Sequence, residues 1–234
     1  MGDSAGGSSI LYQMTAYGGL GDPAPFQQAL PQSPAFWPVV SNEQQEAAFQ
    51  KFLQLANATS LADLRTASST NLIQANVQDA DRFSPIVNGE VVRTLPGQLL
   101  ARGLYSKNVK SVMVGHNFDE GLLFVNIAAQ NTSAVNAHIA SLLPDASTAV
   151  LGNIENELYP AVYNNPYRGY NDSSSRQAEF PADLNIVCNA YYLLKAFGFN
   201  NSYPLFLRRV ARCPLREYPV HILQRSRAGQ VWLR

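Results

Sequence analysis

The sequence predicts an α/β fold, richer in helix than in strand, and three observations carry that expectation. The chain opens on Gly2-Asp3-Ser4-Ala5-Gly6-Gly7, which contains the pattern Gly-x-Ser-x-Gly. That pattern sets a serine at the tip of a sharp turn from a strand into a helix. Ser111 to Gly115 is a short apolar run of strand character, and an acid, Glu120, follows it closely. Elsewhere, long stretches repeat apolar residues at helical spacing and few strands interrupt them. So few strands do not make an ordinary sheet in a chain of 234 residues. Only Met1 precedes Gly2, so the strand feeding the turn is expected to be missing. The reading is therefore a partial α/β fold that lacks its N-terminal strands.

The elements follow in order. A nucleophile turn holds its serine in a strained backbone conformation, and side chains at the flanking glycines are expected to clash with the adjacent strand and helix. Ile10, Leu11 and Met14 form the apolar stripe of the helix such a turn requires, and Gly18-Gly19 stops it. Phe26 to Ser33 reads as a short extended segment. Ser41, with Gln44 three residues on, reads as a capping box. The helix it opens carries Ala48, Phe49, Phe52, Leu53 and Leu55 on its buried side. Ser60 caps a helix holding Leu61 and Leu64, and Ser69 starts a third with Leu72 and Ile73. Gln98 to Arg102 is helical and ends at Gly103. Thr132 to Leu143 is helical up to Pro144. Asn164 to Ser175 is polar and rich in Gly, Asn and Ser, a surface loop. Arg176 to Phe197 carries another long helical pattern.

Composition narrows the class. Apolar residues make up 46% of the chain and charged residues 15%, which fits a globular protein with a sizeable core. Net charge is zero, and no basic stretch points to nucleic acid. No apolar run is long enough to span a bilayer. Two cysteines, Cys188 and Cys213, do not make a disulfide framework; they could pair, and a buried thiol is an equal reading. Asn57, Asn131, Asn171 and Asn200 each head an Asn-x-Ser/Thr sequon, which fits a secreted glycoprotein. The N-terminus carries no signal peptide.

Several segments resemble the type-B carboxylesterase and lipase family, particularly its fungal members. They are Gly2 to Gly7, Met14-Thr15-Ala16-Tyr17-Gly18-Gly19, and Phe26 to Phe36 with Gln32-Ser33-Pro34 at its centre. The likeness continues in Phe83-Ser84-Pro85-Ile86-Val87-Asn88-Gly89, in Val114 to Gly121, and in Phe180 to Leu194. It covers residues 1–207 in the family's order and roughly its spacing. It implies a partial α/β-hydrolase fold, hydrolysis of carboxylic esters of small molecules or lipids, and export from the cell. It implies no cofactor and no metal.

Serine hydrolysis needs a nucleophile, a histidine base, an acid that orients the base, and donors for the oxyanion. Ser4 is the nucleophile by its motif. The resemblance makes Glu120, in Asp119-Glu120-Gly121-Leu122-Leu123-Phe124, the acid, in a loop at the C-terminal end of the Ser111 to Gly115 strand. Read from the residues alone, Glu120 is a loop acid before a helix, with Asp119 as its cap. Ala5 supplies one oxyanion N–H, as the residue after the nucleophile. The family's other donors come from a glycine-rich loop that this chain does not contain. No base is identified. His116 is not at the family's base position, and His138 sits in a helix. His221 lies in the right part of the chain but lacks the family's His-Gly pair.

The resemblance stops near Leu207, dividing the chain into a partial carboxylesterase domain, 1–207, and a divergent basic tail, 208–234. The tail is an irregular solvated end, a basic partner-binding segment, or a frame-shifted terminus. Codons for Pro219 to Ser226, read one base later, permit Pro-Tyr-Thr-Phe-Phe-Asn-Gly, the kind of segment the family shows after its histidine. Three functions follow: a serine esterase; an incomplete, inactive fragment of one; or a cholinesterase-like interaction protein. An intact Ser4 argues against the third. The fragment is the expectation for this polypeptide by itself, with poor solubility or association as its consequence.

Overall fold

In the computed structural model, which describes residues 1–39, 41–79, 83–164 and 170–207, the chain begins on a strand. Gly2–Asp3 (β1) passes through Ser4 into the helix Ala5–Thr15 (α1). The short strands Gln28–Ala29 (β2) and Pro31–Gln32 (β3) follow. Next come the helices Asn42–Leu55 (α2), Leu61–Thr66 (α3), Ser69–Gln78 (α4) and Pro96–Ala101 (α5), then the strand Ser111–Asn117 (β4). A 3-10 helix, Glu120–Phe124, precedes Thr132–Ser141 (α6) and Thr148–Asn153 (α7). α7 runs on into a π-helical turn, Ile154–Leu158. Ser173–Ala182 (α8) passes through a second π turn, Asp183–Val187, into Cys188–Asn201 (α9), and Ser202–Leu207 (β5) follows.

All strand pairings in the sheet are parallel. β2 and β3 meet β4 at one constant register, with Gln28 beside Ser111, Ala29 beside Val112 and Gln32 beside Gly115. They are in effect one strand broken at Leu30, with β1 on one side and β4 on the other. β5 lies along the far edge of β4, from Val112 beside Ser202 to Asn117 beside Leu207. The parallel arrangement brings the C-terminal ends of β1, β3 and β4 to one edge. That edge is where sheets of this kind place their chemistry.

The core lies on one face of this sheet. Ile10, Leu11 and Met14 from α1 meet Leu100 from α5, Val112 and Val114 from β4, and Leu193 and Phe197 from α9. Leu11 and Leu193 are fully buried, and burial of each contributes about 2 kcal/mol. Val112 and Val114 point the same way because strand side chains alternate. Met113 points the other way and is 41% exposed. A second cluster joins Val135 and Ile139 of α6 to Ile154 and Phe180. Beside it the fully buried Arg176 ties α8 to its neighbours. Its Nε donates to Tyr159 O at 2.6 Å and its Nη2 to Asn136 Oδ1 at 2.8 Å.

Local sequence explains most helix starts. Ser41, Ser60, Ser68, Asn131, Ser147 and Asp172 each accept a hydrogen bond from an amide in the first turn of the helix they precede. Such caps satisfy donors that the helix itself leaves unpaired. The Gln44 side chain donates to Asp145, on the segment after α6, instead of serving only its own helix end. Gly103 takes a positive φ of 70° just past α5, as a helix-ending glycine does.

Several expectations need correction. The strand before Ser4 is not wholly missing: Gly2 and Asp3 pair with Pro31 and Gln32. Ser173 to Ser175 belong to a helix capped by Asp172, not to the preceding loop. The sheet is also fuller than the sequence suggests, because β5 completes a row of parallel strands. The tail 208–234, with His221 and Cys213, lies outside the described residues; Cys188 is exposed at the start of α9.

Among the described glycines, Gly121 has the least room for a side chain. A Cβ there would stand 1.7 Å from the carbonyl oxygen of Ala178 in α8. The three nearest atoms are all Ala178 backbone, so no flexible group is there to yield. Gly121→Ala should therefore cost about 3 kcal/mol or more, read as a large fall in the midpoint of thermal or urea unfolding.

Candidate active site

Ser4 sits between β1 and α1 with φ 53° and ψ −119°. A side chain in that region is strained, typically by about 1–3 kcal/mol, and persists only where its surroundings fix it. Here they do. The Ser4 N–H donates to Gln32 O at 2.9 Å, and Ser4 O accepts from the Ala35 N–H at 3.2 Å and the Ser8 N–H at 3.1 Å. Glycines clear the space around the turn, though not quite as the motif suggests. A Cβ on Gly2 would lie 2.3 Å from Gly6 O, and one on Gly7 2.7 Å from Gln32 O. Gly6 itself faces nothing within 4 Å among the described residues, so Gly7, outside the motif, carries the second steric requirement. The Ser4 side chain is exposed. The Ala5 N–H is the first amide of α1, one of the group that a helix leaves unpaired.

Glu120 opens the 3-10 helix after β4 and is only 6% exposed. It was expected in a loop; the turn is helical, and Asp119 makes no side-chain capping bond to it. One carboxylate oxygen, Oε1, collects three donors. These are the Ser33 hydroxyl at 2.6 Å, the Asn117 backbone N–H at 2.6 Å and the Asn117 side-chain amide at 3.1 Å. Among the described residues no donor bonds Oε2, which remains to accept from another group. The carboxylate is thus fixed in orientation while half of its acceptor capacity stays open.

Ser33 and Asn117 are the residues that the sequence reading missed. Ser33 follows β3 as Ser4 follows β1, and its φ of 40° is again positive for a residue with a side chain. Its N–H donates to Gly115 O at 2.7 Å, pinning it to β4. A polar residue just past a parallel strand was the available signal. Its meeting with Glu120 depends on pairing across 87 residues.

The two described histidines engage neighbouring backbone. His116 Nδ1 lies 2.8 Å from Asn117 O, and His138 Nε2 donates to Phe124 O at 3.0 Å. Neither is bonded to Glu120. His221 lies outside the described residues. Among the described residues no group of His, Cys, Asp and Glu is arranged to hold a metal ion, and no helix is long and apolar enough to cross a membrane.

Behind the Glu120 helix lie two partly buried acids, Glu179 of α8 and Asp183 of the π turn that follows it. Burial raises the carboxyl of Glu179 above the usual carboxylate range, and the charges of Asp183 and Asp119 add to it. Asp183 is raised by burial too, despite a hydrogen bond from the Tyr159 hydroxyl at 2.7 Å. A carboxyl raised in the folded state stabilises the fold fully at low pH. That contribution is lost as pH rises through the folded value. Glu179→Gln should therefore raise the melting temperature relative to the parent at pH 7, with the gain shrinking toward pH 4.

The chain can now be set beside known proteins. Residues 1–218 match the model of the carboxylesterase family. The carboxylesterase patB of Aspergillus clavatus is 32% identical over 203 residues, covering 82% of this chain and 36% of that protein. A secreted lipase of Arthroderma benhamiae is 28% identical over 194 residues, covering 81% of this chain and 38% of that protein. Among solved structures, Aspergillus niger EstA superposes with a TM-score of 0.71 at 23% identity, covering 88% of this chain and 42% of that one. A PNB esterase gives 0.61 at 22% identity. The chain therefore spans about two-fifths of the length of the proteins it matches. Its parallel sheet and covering helices are part of an α/β-hydrolase fold, and by sequence and architecture the chain belongs to the carboxylesterase family.

Proposed function

We propose that this chain carries the nucleophile and the acid of a serine hydrolase acting on carboxylic esters of small molecules or lipids. The observation that supports this most is the pairing of a strained, exposed Ser4 with a buried, half-satisfied Glu120 at one edge of a parallel sheet. Ser4 Oγ attacks the ester carbonyl carbon while a histidine takes its proton. The tetrahedral oxyanion accepts from the Ala5 N–H. The C–O bond to the alcohol breaks, the histidine returns the proton to the leaving oxygen, and an acyl group remains on Ser4. Water, activated by the same histidine, then releases the acid and regenerates the serine. Glu120 Oε2 accepts from the histidine and holds its tautomer, while Oε1 is held by Ser33 and Asn117.

The base is the open part of this proposal. His116 and His138 are both bonded to nearby backbone carbonyls. His221, without a following glycine, is the remaining candidate in the chain. A serine without a base is a poor nucleophile, and losing one oxyanion donor costs about a hundredfold to a thousandfold. A polypeptide of these 234 residues alone is therefore expected to hydrolyse p-nitrophenyl butyrate negligibly, and equally with Ser4→Ala. Residues 1–207 joined to the flanking segments of the Aspergillus clavatus carboxylesterase should hydrolyse it. Failure of the folded, joined chain to turn over would count against the proposal. The second reading, a non-catalytic chain, draws on the same engagement of both described histidines.

A further inference from the structure

α2 and α6 are separated by a cleft of about 570 Å³. This is within the size range of small-molecule sites. Trp37 forms one wall, Ala48 and Leu142 contribute apolar surface, and Glu43 and Asp145 bring carboxylates from the two sides. Among the described residues no lysine or arginine lines it. Glu43 and Asp145 are exposed at the rim. The Gln44 amide donates to Asp145 Oδ2, which steadies that carboxylate and leaves Oδ1 to accept from a ligand. His138 also lines the cleft, and its Nε2–H is committed to Phe124 O. With Nε2–H so committed, Nδ1 is the acceptor of the neutral ring.

We propose that this cleft binds a small organic cation, an alkyl- or arylammonium. Two carboxylates, with no lysine or arginine in the described lining, select for positive charge. An indole wall attracts a cation through its ring quadrupole. The apolar surface of Ala48 and Leu142 takes the ligand's carbon body, and the opening between the helices admits it from solvent. A neutral ligand of the same shape forfeits the first two interactions. A carboxylate ligand meets repulsion. The cleft also adjoins the helix that carries Glu120. Trp37 stands edge-to-face on Phe124, with ring centroids 5.3 Å apart, and Phe124 ends the 3-10 helix that Glu120 begins. The binding itself is independent of the proposed ester hydrolysis.

The chain has two tryptophans, so Trp232→Phe leaves Trp37 as the reporter. Its emission is followed at low ionic strength during titration with phenethylammonium and, separately, with 2-phenylethanol, a neutral molecule of nearly the same shape. Phenethylammonium should give a saturable change with a Kd about fivefold lower than that of the alcohol. In the Glu43→Gln, Asp145→Asn double variant, with unchanged circular dichroism, the two should bind alike. If the double variant does not fold, either single variant should cut the preference to about twofold. No saturable response to phenethylammonium, equal affinity for both probes, or a preference that survives loss of the carboxylates would overturn the proposal.

Discussion

Ser4→Ala should remove ester hydrolysis from the joined chain almost completely, by about 10⁶-fold in kcat. The size of the effect follows from the step proposed for Ser4. Among the described residues no other side chain at this edge of the sheet is set on a strained turn with an exposed hydroxyl. Without Ser4 Oγ there is no acyl intermediate, and the remaining binding and oxyanion groups supply only background catalysis. The backbone bonds around position 4 run through its N–H and C=O, so alanine leaves them in place. The variant should fold and bind substrate while failing to turn it over. Unchanged KM with lost kcat separates this outcome from simple unfolding.

Glu120→Gln should lower kcat about 10⁴-fold. A neutral amide no longer stabilises the imidazolium that forms when the histidine takes the serine proton, and its NH₂ can force the wrong tautomer. The change keeps side-chain volume, so packing around this 6%-exposed residue is preserved. Ser33→Ala tests the same site more gently. It removes one of the three donors on Oε1, and a hydrogen bond to a charged group contributes about 1.5–3 kcal/mol. A loss of roughly tenfold to a hundredfold is expected, with KM little changed and Ser33→Thr partly restoring the rate.

The parts legible in the sequence were those fixed by neighbours along the chain. The stripe Ile10, Leu11, Met14 does enter the core, Ser111 to Gly115 does form a central strand, and Ser60 does cap its helix. The resemblance to carboxylesterases, resting on several segments in order, also held. What escaped was fixed at a distance or against local preference. β5 hides behind Gly198, whose φ of 63° ends a helical run, and it contains Pro204. Proline is tolerated there because β5 pairs only with β4 and its other edge is free among the described residues. α8, its π turn and α9 were read as one helical pattern, but hydrophobic spacing cannot register the extra residue that a π turn accommodates. Ser33 could not be tied to Glu120 without knowing that β3 lies beside β4. Nor could Gly7 be ranked above Gly6, because that requires the position of Gln32.

The central claim is that Ser4 is the residue acylated during turnover. The most direct measurement treats the joined chain with diethyl p-nitrophenyl phosphate, which phosphorylates an activated serine, and maps the adduct by tandem mass spectrometry. The expected result is one diethylphosphoryl group on Ser4, formed in step with loss of activity and absent from Ser4→Ala. Inactivation with the group on any other residue, or full inactivation that leaves Ser4 unmodified, would contradict the claim.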